Sequence, residues 1–283
     1  MFRTRLLSGI LLVAVALGVL LAGGALLAVV VFGISMTAYQ ELTAACKVRG
    51  EGRKQGAPVI VGLVMTLVYY GVICLSLARD ISTVFPAMVM AVVAAFLAFL
   101  FVYVFTFPKY HANQIMSAMF SFLYGPVMLS FLFLLREGFD DGIYLVWFVF
   151  LASWGSDTCA YCVGVLIGKH KMTPKLSPKK SIEGAVGGIL GAALLFALYA
   201  HFVINQYTMI TLSLPVAAAL GAVGALVSMV GDLAASAVKR DHGIKDYGKL
   251  IPGHGGIMDR FDSVIVAAPI VFFWVVLAVG MAW

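Results

Sequence analysis

The apolar positions of this chain gather into nine stretches, each close to the roughly 20 residues that a helix needs to cross the hydrocarbon core of a bilayer. They run from Arg5 to Leu21, Gly24 to Ala45, Ala57 to Ala78, Val84 to Phe107, Ala112 to Leu135, Ile143 to Gly168, Ile182 to Asn205, Thr211 to Val238 and Phe261 to Met281. The pattern predicts an all-α integral membrane protein of about nine transmembrane helices. Apolar sequence continues directly past Gly23-Gly24, so this pair predicts a tight turn between the first two spans. Arg3 and Arg5 ahead of an apolar run also suit a cleaved signal peptide, but such a peptide would not need the second span behind it. The longest polar connections are Lys47 to Gly56, Lys169 to Ser181 and Lys239 to Arg260, and aqueous chemistry is confined to these loops and the helix ends beside them. No internal repeat is visible, which weakens a transporter built from duplicated halves.

Composition supports this reading. Of 283 residues, 63% are hydrophobic and 11% charged, and mean hydropathy is +1.04; soluble domains carry about 25% charged residues. That excludes a water-soluble globule, a disordered chain and a collagen-like repeat. Four cysteines, Cys46, Cys74, Cys159 and Cys162, lie too deep in apolar runs for a disulfide framework.

With the N-terminus placed in the cytoplasm, the basic residues sort by side. Arg3, Arg5, Lys47, Arg49, Arg53, Lys54, Lys109, Lys169, Lys171, Lys175, Lys179, Lys180, Lys239, Arg240, Lys245, Lys249 and Arg260 fall on the cytoplasmic side; Arg79 and Arg136 fall opposite. Seventeen of 19 on one side is the positive-inside bias of a nine-span protein whose C-terminus is outside. The net charge of +6 is therefore mostly topology and requires no nucleic-acid partner.

The acids divide differently. Asp80, Glu137, Asp140 and Asp141 sit in outer loops and read as solvated, and Glu51 and Asp241 sit among cytoplasmic bases. Glu41, Asp157, Glu183 and Asp232 lie within spans or near their cytoplasmic ends, while Asp246, Asp259 and Asp262 lie in the last cytoplasmic loop or at the start of the ninth span. A charged acid at the centre of a span costs about 2.5–3.5 kcal/mol on insertion scales, so this group calls for a cation, a partner or a wet cavity. Asp232, Ser236, Lys239 and Arg240 stand at i, i+4, i+7 and i+8 on one stripe of the eighth span, which reads either as a site or as a salt-bridged helix end. Asp259 and Asp262 share a face at a helix start, where the macrodipole alone also favours acids. Between the end of the eighth span and that helix start, Pro252-Gly253-His254-Gly255-Gly256 offers backbone N–H groups to an anion ahead of a helix, a setting suited to phosphate. Flanking bases, with Asp232 and Asp259 able to hold a divalent cation, point to metal-assisted nucleotide chemistry.

Three other patterns have plainer readings. Gly243 to Lys249 spells GxxxxGK, but Leu250 stands where a Walker loop needs Ser or Thr and no strand precedes it. Cys159 and Cys162 spell CxxC inside a span with no second pair, which reads as small-residue packing. The Gly184/Gly188, Gly187/Gly191 and Gly164/Gly168 steps read as close helix packing.

Ser236-Ala-Val-Lys239-Arg240, Lys245-Asp246, Gly248, Ile251-Pro252, His254-Gly255-Gly256, Asp259-Arg260 and Asp262 together resemble the complete signature of the phosphatidate cytidylyltransferase (CDP-diacylglycerol synthase) family. Ser177 to Gly184 resembles its conserved cytoplasmic loop, with Ser181 where Thr is usual, and Asp157-Thr158 its acidic step in the preceding helix. In the first half the match is hydropathy and one acid, Glu41.

The resemblance implies transfer of the cytidylyl group of CTP to phosphatidate, giving CDP-diacylglycerol and pyrophosphate, with Mg²⁺ and room for a second cation. It also implies a homodimer in a bacterial-type inner membrane, with the active site facing the cytoplasm. Residues 1–140 would then be a five-span scaffold, dimer or lipid-facing region, and 141–283 a four-span catalytic region with cytoplasmic loops 169–181 and 239–260. On this resemblance Asp232 and Asp259 bind Mg²⁺ and, with Lys239, Arg240 and His254, make the catalytic set. Ser177, Lys179, Lys180, Ser236, Lys245, Asp246, Gly255, Gly256, Arg260, Asp262 and Asp157 bind or position substrate. His254 would orient or protonate the leaving pyrophosphate, and a structural role stands beside that one. Two other readings stay open: a CTP-dependent transferase acting on a different lipid phosphate, and a cation- or proton-coupled transporter, whose acids should cross the membrane rather than gather near one face.

Overall fold

In the computed structural model the described residues are 2–48, 56–253 and 255–279. Nine long helices order them: α1 (Phe2–Ala22), α2 (Gly24–Ala45), α3 (Ala57–Arg79), α4 (Val84–Thr106), α5 (Ala112–Glu137), α6 (Gly142–Ile167), α7 (Ile182–Tyr207), α8 (Leu214–Asp241) and α9 (Met258–Val279). Eight are long and apolar enough to cross a membrane, and α1 is apolar over Gly9–Ala22. The protein is an all-α integral membrane protein, as its hydropathy predicts. Lipid offers the backbone no hydrogen bonds, so even glycine-rich α7 stays helical despite a cost near 1 kcal/mol per Gly relative to Ala. Hydroxyls inside the spans bond back to the preceding turn, as Thr43 does to the Tyr39 carbonyl (2.8 Å) and Ser153 to the Val149 carbonyl (2.7 Å).

The chain forms two compact units. The first comprises Met1–Phe133 and His242–Asp259. Here α1 and α2 are joined by the expected turn, with Gly23 and Gly24 at φ 63° and 54°, a region open to glycine. Its core is aromatic: Tyr69 meets Tyr70 and Phe122 edge-on at 5.9 Å. Each buried hydroxyl is satisfied, Tyr70 by Ser35 (2.6 Å) and the Pro126 carbonyl (3.2 Å), Tyr69 by Ser130 (3.0 Å). Pro126 has no N–H and crowds the preceding turn, and α5 widens into a π turn over Leu123–Val127 to accommodate it. The Pro126 carbonyl accepts the Tyr70 hydroxyl there.

The second unit comprises Leu134–Asp241 and Arg260–Gly280. Helix α7 turns one face inward and one outward. Gly184, Gly188, Ala192 and Phe196 are buried, while Ile182, Val186, Leu190, Leu194 and Leu198 are 44–65% exposed, the face expected to meet lipid. The small-residue steps pack closely, as their spacing predicts. A Cβ on Gly184 would sit 2.8 Å from the Ala160 carbonyl oxygen, and one on Gly191 2.5 Å from Cys159, which confirms the packing role of Cys159. Phe148 anchors the unit against Phe196, Tyr199 and Trp274. Helix α6 opens into a π turn at Leu151–Gly155, one turn ahead of Asp157.

Two sequence expectations change, and a third is resolved to one of its alternatives. The 169–181 loop contains an antiparallel hairpin, β1 (Lys171–Thr173) with β2 (Ser177–Ser181), pairing Lys171 with Ser181 and Thr173 with Ser177. Its lysines and prolines have little strand propensity, so pattern alone reads it as a loop. The outer acids are more than solvated: Asp80 caps the short turn at Ile81–Thr83 through the Ser82 N–H (3.1 Å), and Asp141 accepts the Met209 N–H (3.2 Å). Glu183 needs no metal or cavity, since it accepts the N–H groups of Lys169 (3.1 Å) and His170 (3.2 Å) and meets the His170 ring at 2.6 Å, fastening the hairpin to the start of α7.

The packing gives a test. Gly221 on α8 lies so close to α7 that a Cβ would stand 2.5 Å from the Ala192 carbonyl oxygen, a backbone atom that cannot swing away. Gly221→Val should lower stability by about 1–3 kcal/mol, read as a reduced thermal midpoint in detergent; an unchanged midpoint would show that α7 and α8 do not pack this closely.

Candidate active site

In the first unit the chemistry gathers on the loop between α8 and α9. The described residues between 242 and 257 form no helix. The loop is closed on itself by Ile251 and Gly255, which exchange backbone hydrogen bonds at 2.9 and 3.2 Å, and by Gly253 and Gly255 at φ 76° and 93°. Two carboxylates then fix it from outside. Asp259, in the first turn of α9, reaches back so that its Oδ2 accepts the N–H of Tyr247 (2.8 Å) and of Gly256 (2.9 Å). Glu41, near the end of α2, accepts the N–H of Ile257 (3.1 Å) and Met258 (2.9 Å). These amides belong to the orphan donors of a helix N-terminus, and a negative charge there is favoured by the macrodipole. A Cβ at Gly248 or Gly256 would collide with the Glu41 carboxylate, and one at Gly255 would lie 2.7 Å from Asp259 Oδ2. Both positions named as phosphate-admitting glycines thus have a second task, which is to let two carboxylates touch the loop backbone.

In the second unit the acids and bases form a cluster. Lys180, at the end of β2, meets Asp232 of α8 at 2.5 Å, with both side chains about one quarter exposed. Asp157 of α6 is set against Lys180 by attraction and against Asp232 by repulsion, and the Ser263 hydroxyl donates to it. Asp262 is 8% exposed. It faces the like charges of Asp232 and Asp157 and the opposite charge of Lys239, and its Oδ1 accepts the Ser263 N–H at 2.8 Å. Arg240 Nε donates to the Leu176 carbonyl (3.3 Å), tying the end of α8 to the hairpin tip. Ser236 is buried, Ser177 is half-buried, and Lys179 and Arg260 are exposed. Three carboxylates opposed by two ammonium groups leave an excess of hard oxygen donors, the donor chemistry that Mg²⁺ takes together with substrate phosphates. Among the described residues, no group of three or more His, Cys, Asp or Glu side chains is placed to hold a metal ion by itself.

The stripe expected on α8 is therefore present, with Asp232, Lys239 and Arg240 each engaged by a neighbour in its own unit. Lys245 and Asp246 are exposed in the first unit's loop. His254 lies outside the described residues. Asp232 and Asp259, paired on resemblance as metal ligands, belong to different units, and Asp259 uses one oxygen to order the loop. Glu41 is the site residue to which sequence reasoning gave no role. Its signal was present, an acid in an apolar span with no base within a helical turn on either side, but its partners are backbone amides more than 200 positions away.

A family model described as the cytidylyltransferase family matches residues 3–278. The chain belongs to the cytidylyltransferase family. It is 37% identical over 141 residues to a phosphatidate cytidylyltransferase of Synechocystis sp., covering 50% of this chain and 46% of the relative. To that of Mycobacterium bovis it is 37% identical over 170 residues, 60% of this chain and 53% of the relative, and to that of Haemophilus influenzae 35% identical over 135 residues, 45% and 44%. The chain spans about half the length of the curated relatives it matches.

For this cytidylyltransferase-family chain, the Glu41 clamp yields a direct expectation. Glu41→Ala removes the acceptor of two N–H groups, and a hydrogen bond to a charged group is worth about 1.5–3 kcal/mol. Amide exchange at Ile257 and Met258 should speed up by about tenfold or more, with α4 and α5 unchanged. Equal protection in the variant would show that the carboxylate does not hold the loop.

Proposed function

We propose that this protein transfers the cytidylyl group of CTP to phosphatidate, releasing pyrophosphate and forming CDP-diacylglycerol in the cytoplasmic leaflet of a bacterial-type inner membrane, as a homodimer. The observation that carries the reading is the acid and base cluster of Asp157, Lys180, Asp232, Lys239 and Asp262 in a chain of the cytidylyltransferase family. The relatives' printed names supply the lipid and the reaction.

A phosphate oxygen of phosphatidate attacks the α-phosphorus of CTP, and the bond from that phosphorus to the bridging oxygen breaks, so pyrophosphate leaves. The nucleophile is already an anion and needs no strong base. The barrier is the approach of one anion to another, which falls when positive charge and backbone donors are fixed in advance. Lys179, Lys180, Lys239, Arg240 and Arg260 lower that repulsion. Gly255 and Gly256, with Lys245 and Asp246 on the same loop, serve the nucleotide, and Asp157, Ser177, Ser236 and Asp262 position substrate or its neighbours. His254 serves the leaving pyrophosphate. Asp232 and Asp259 are each proposed as a carboxylate for Mg²⁺, with room for a second cation, and the metal would neutralise phosphate charge when bound.

The test is pyrophosphate release by detergent-purified protein. Release should require CTP, phosphatidate and Mg²⁺ together, stop on chelation and return with added Mg²⁺. Asp259→Asn keeps an oxygen for the Tyr247 and Gly256 amides while removing the charge, so it should fold normally and lose about a hundredfold or more in turnover. A folded wild-type protein with no phosphatidate-dependent release would overturn the proposal; faster release with another lipid phosphate would reassign the lipid.

A further inference from the structure

The second unit also contains a cavity of about 390 Å³ beside the acid and base cluster. Asp157, Tyr161 and Val165 line it from α6 at four-residue steps, a single stripe of that helix. Lys179 and Lys180 line it from the hairpin, Ala185 from α7 and Met229 from α8. The polar lining is the lysine pair with Asp157, Ser181 and the phenol of Tyr161; the rest of the wall is apolar. Around the cavity the surface is hydrocarbon: Tyr161, Val165 and Val186 are 72%, 66% and 50% exposed. In a membrane-spanning chain such exposed side chains meet lipid acyl chains rather than water. Room for the cavity comes from small residues, since Ala160, Gly164, Gly184 and Ala185 all stand on its wall.

We propose that this cleft seats an acyl chain of the lipid phosphate substrate, with the phosphate at the Lys179/Lys180 end, and that Val165 and Ala185 set the room for that chain. The inference rests on the function proposed above and adds where the lipid lies. Charge complementarity selects the occupant. A free nucleotide would meet the lysines but leave the apolar walls uncovered, and a neutral lipid would cover the walls but bring no anion to exposed Lys179, whose neighbour Lys180 already has Asp232. A lipid phosphomonoester satisfies both ends, and in a bilayer it is already at hand. Neither Val165 nor Ala185 carries a group that touches the reacting atoms, so their effect is on lipid selectivity alone.

The experiment compares kcat/KM for dioleoyl and dihexanoyl phosphatidate in detergent for wild type, Ala185→Phe and Val165→Phe. Each added ring should obstruct the long chain, lowering kcat/KM for the dioleoyl lipid about tenfold while the dihexanoyl lipid and the KM for CTP stay within twofold. Val165 is on the exposed surface, so its variant keeps the test intact if Ala185→Phe does not fold. An active wild type whose long-to-short ratio is unchanged in a folded variant, or falls equally for both lipids, would overturn the cleft proposal. A folded wild type inactive with every phosphatidate would instead overturn the function on which it rests.

Discussion

The loop that carries most of the family signature depends on a carboxylate that is not part of that signature. Glu41 stands in an apolar helix, where an unsatisfied charge would cost several kcal/mol. The first N–H groups of α9 stand without intrahelical acceptors. Each deficit cancels the other: two amides give the carboxylate its hydrogen bonds, and the carboxylate gives α9 a cap complementary to its dipole. Asp259 repeats the arrangement from the first turn of α9, with one oxygen for two amides. A segment with four glycines between Gly248 and Gly256 would otherwise sample many backbone states. Two anionic acceptors restrict it, and the missing Cβ atoms at Gly248, Gly255 and Gly256 are what allow them to come close.

The same constraint, that charge inside a membrane must be compensated, organises the second unit by a different means. There the compensation is ionic. Lys180 answers Asp232, Lys239 answers Asp262, and the Ser263 hydroxyl and N–H serve Asp157 and Asp262. The bases come from two sources, the hairpin and the end of α8, and Arg240 links them by donating to Leu176. Glu183 shows how local such solutions can be, because its three donors all come from the two residues that open the hairpin.

Hydropathy made the spans legible because lipid leaves a helix no alternative, and the glycine steps of α6 and α7 were legible because close packing has one common cause. The stripe on α8 could be read from periodicity. What periodicity does not carry is long-range pairing. The Glu41 clamp joins segments more than 200 residues apart through backbone groups that every residue has, so no side-chain pattern marks it. The hairpin was hidden for the opposite reason: Pro174, Pro178 and four lysines argue against strands, and it holds through Glu183 and the Ser181 cap on Gly184 rather than through propensity. The π turns had partial signals, Pro126 in α5 and Gly155 in α6, but a widened turn and an ordinary kink look alike in sequence.

The Lys180–Asp232 pair bears on why such a cluster would persist. Half-buried ion pairs contribute little net stability, because desolvating both partners offsets their attraction. If stability were the whole account, apolar residues of similar size would serve α8 and the hairpin as well. An ammonium group held beside the Asp232 and Asp157 carboxylates differs from an apolar contact in one respect, which is that it stays available to an arriving anion. In the proposed reaction a phosphate would bring its own negative charge to this cluster, but it would find the Lys180 cation already in place and its desolvation already compensated. In the transfer proposed above, the cluster would be arranged before substrate arrives and would need little reorganisation as charge shifts; the packing of α6, α7, α8 and the hairpin is what maintains that arrangement.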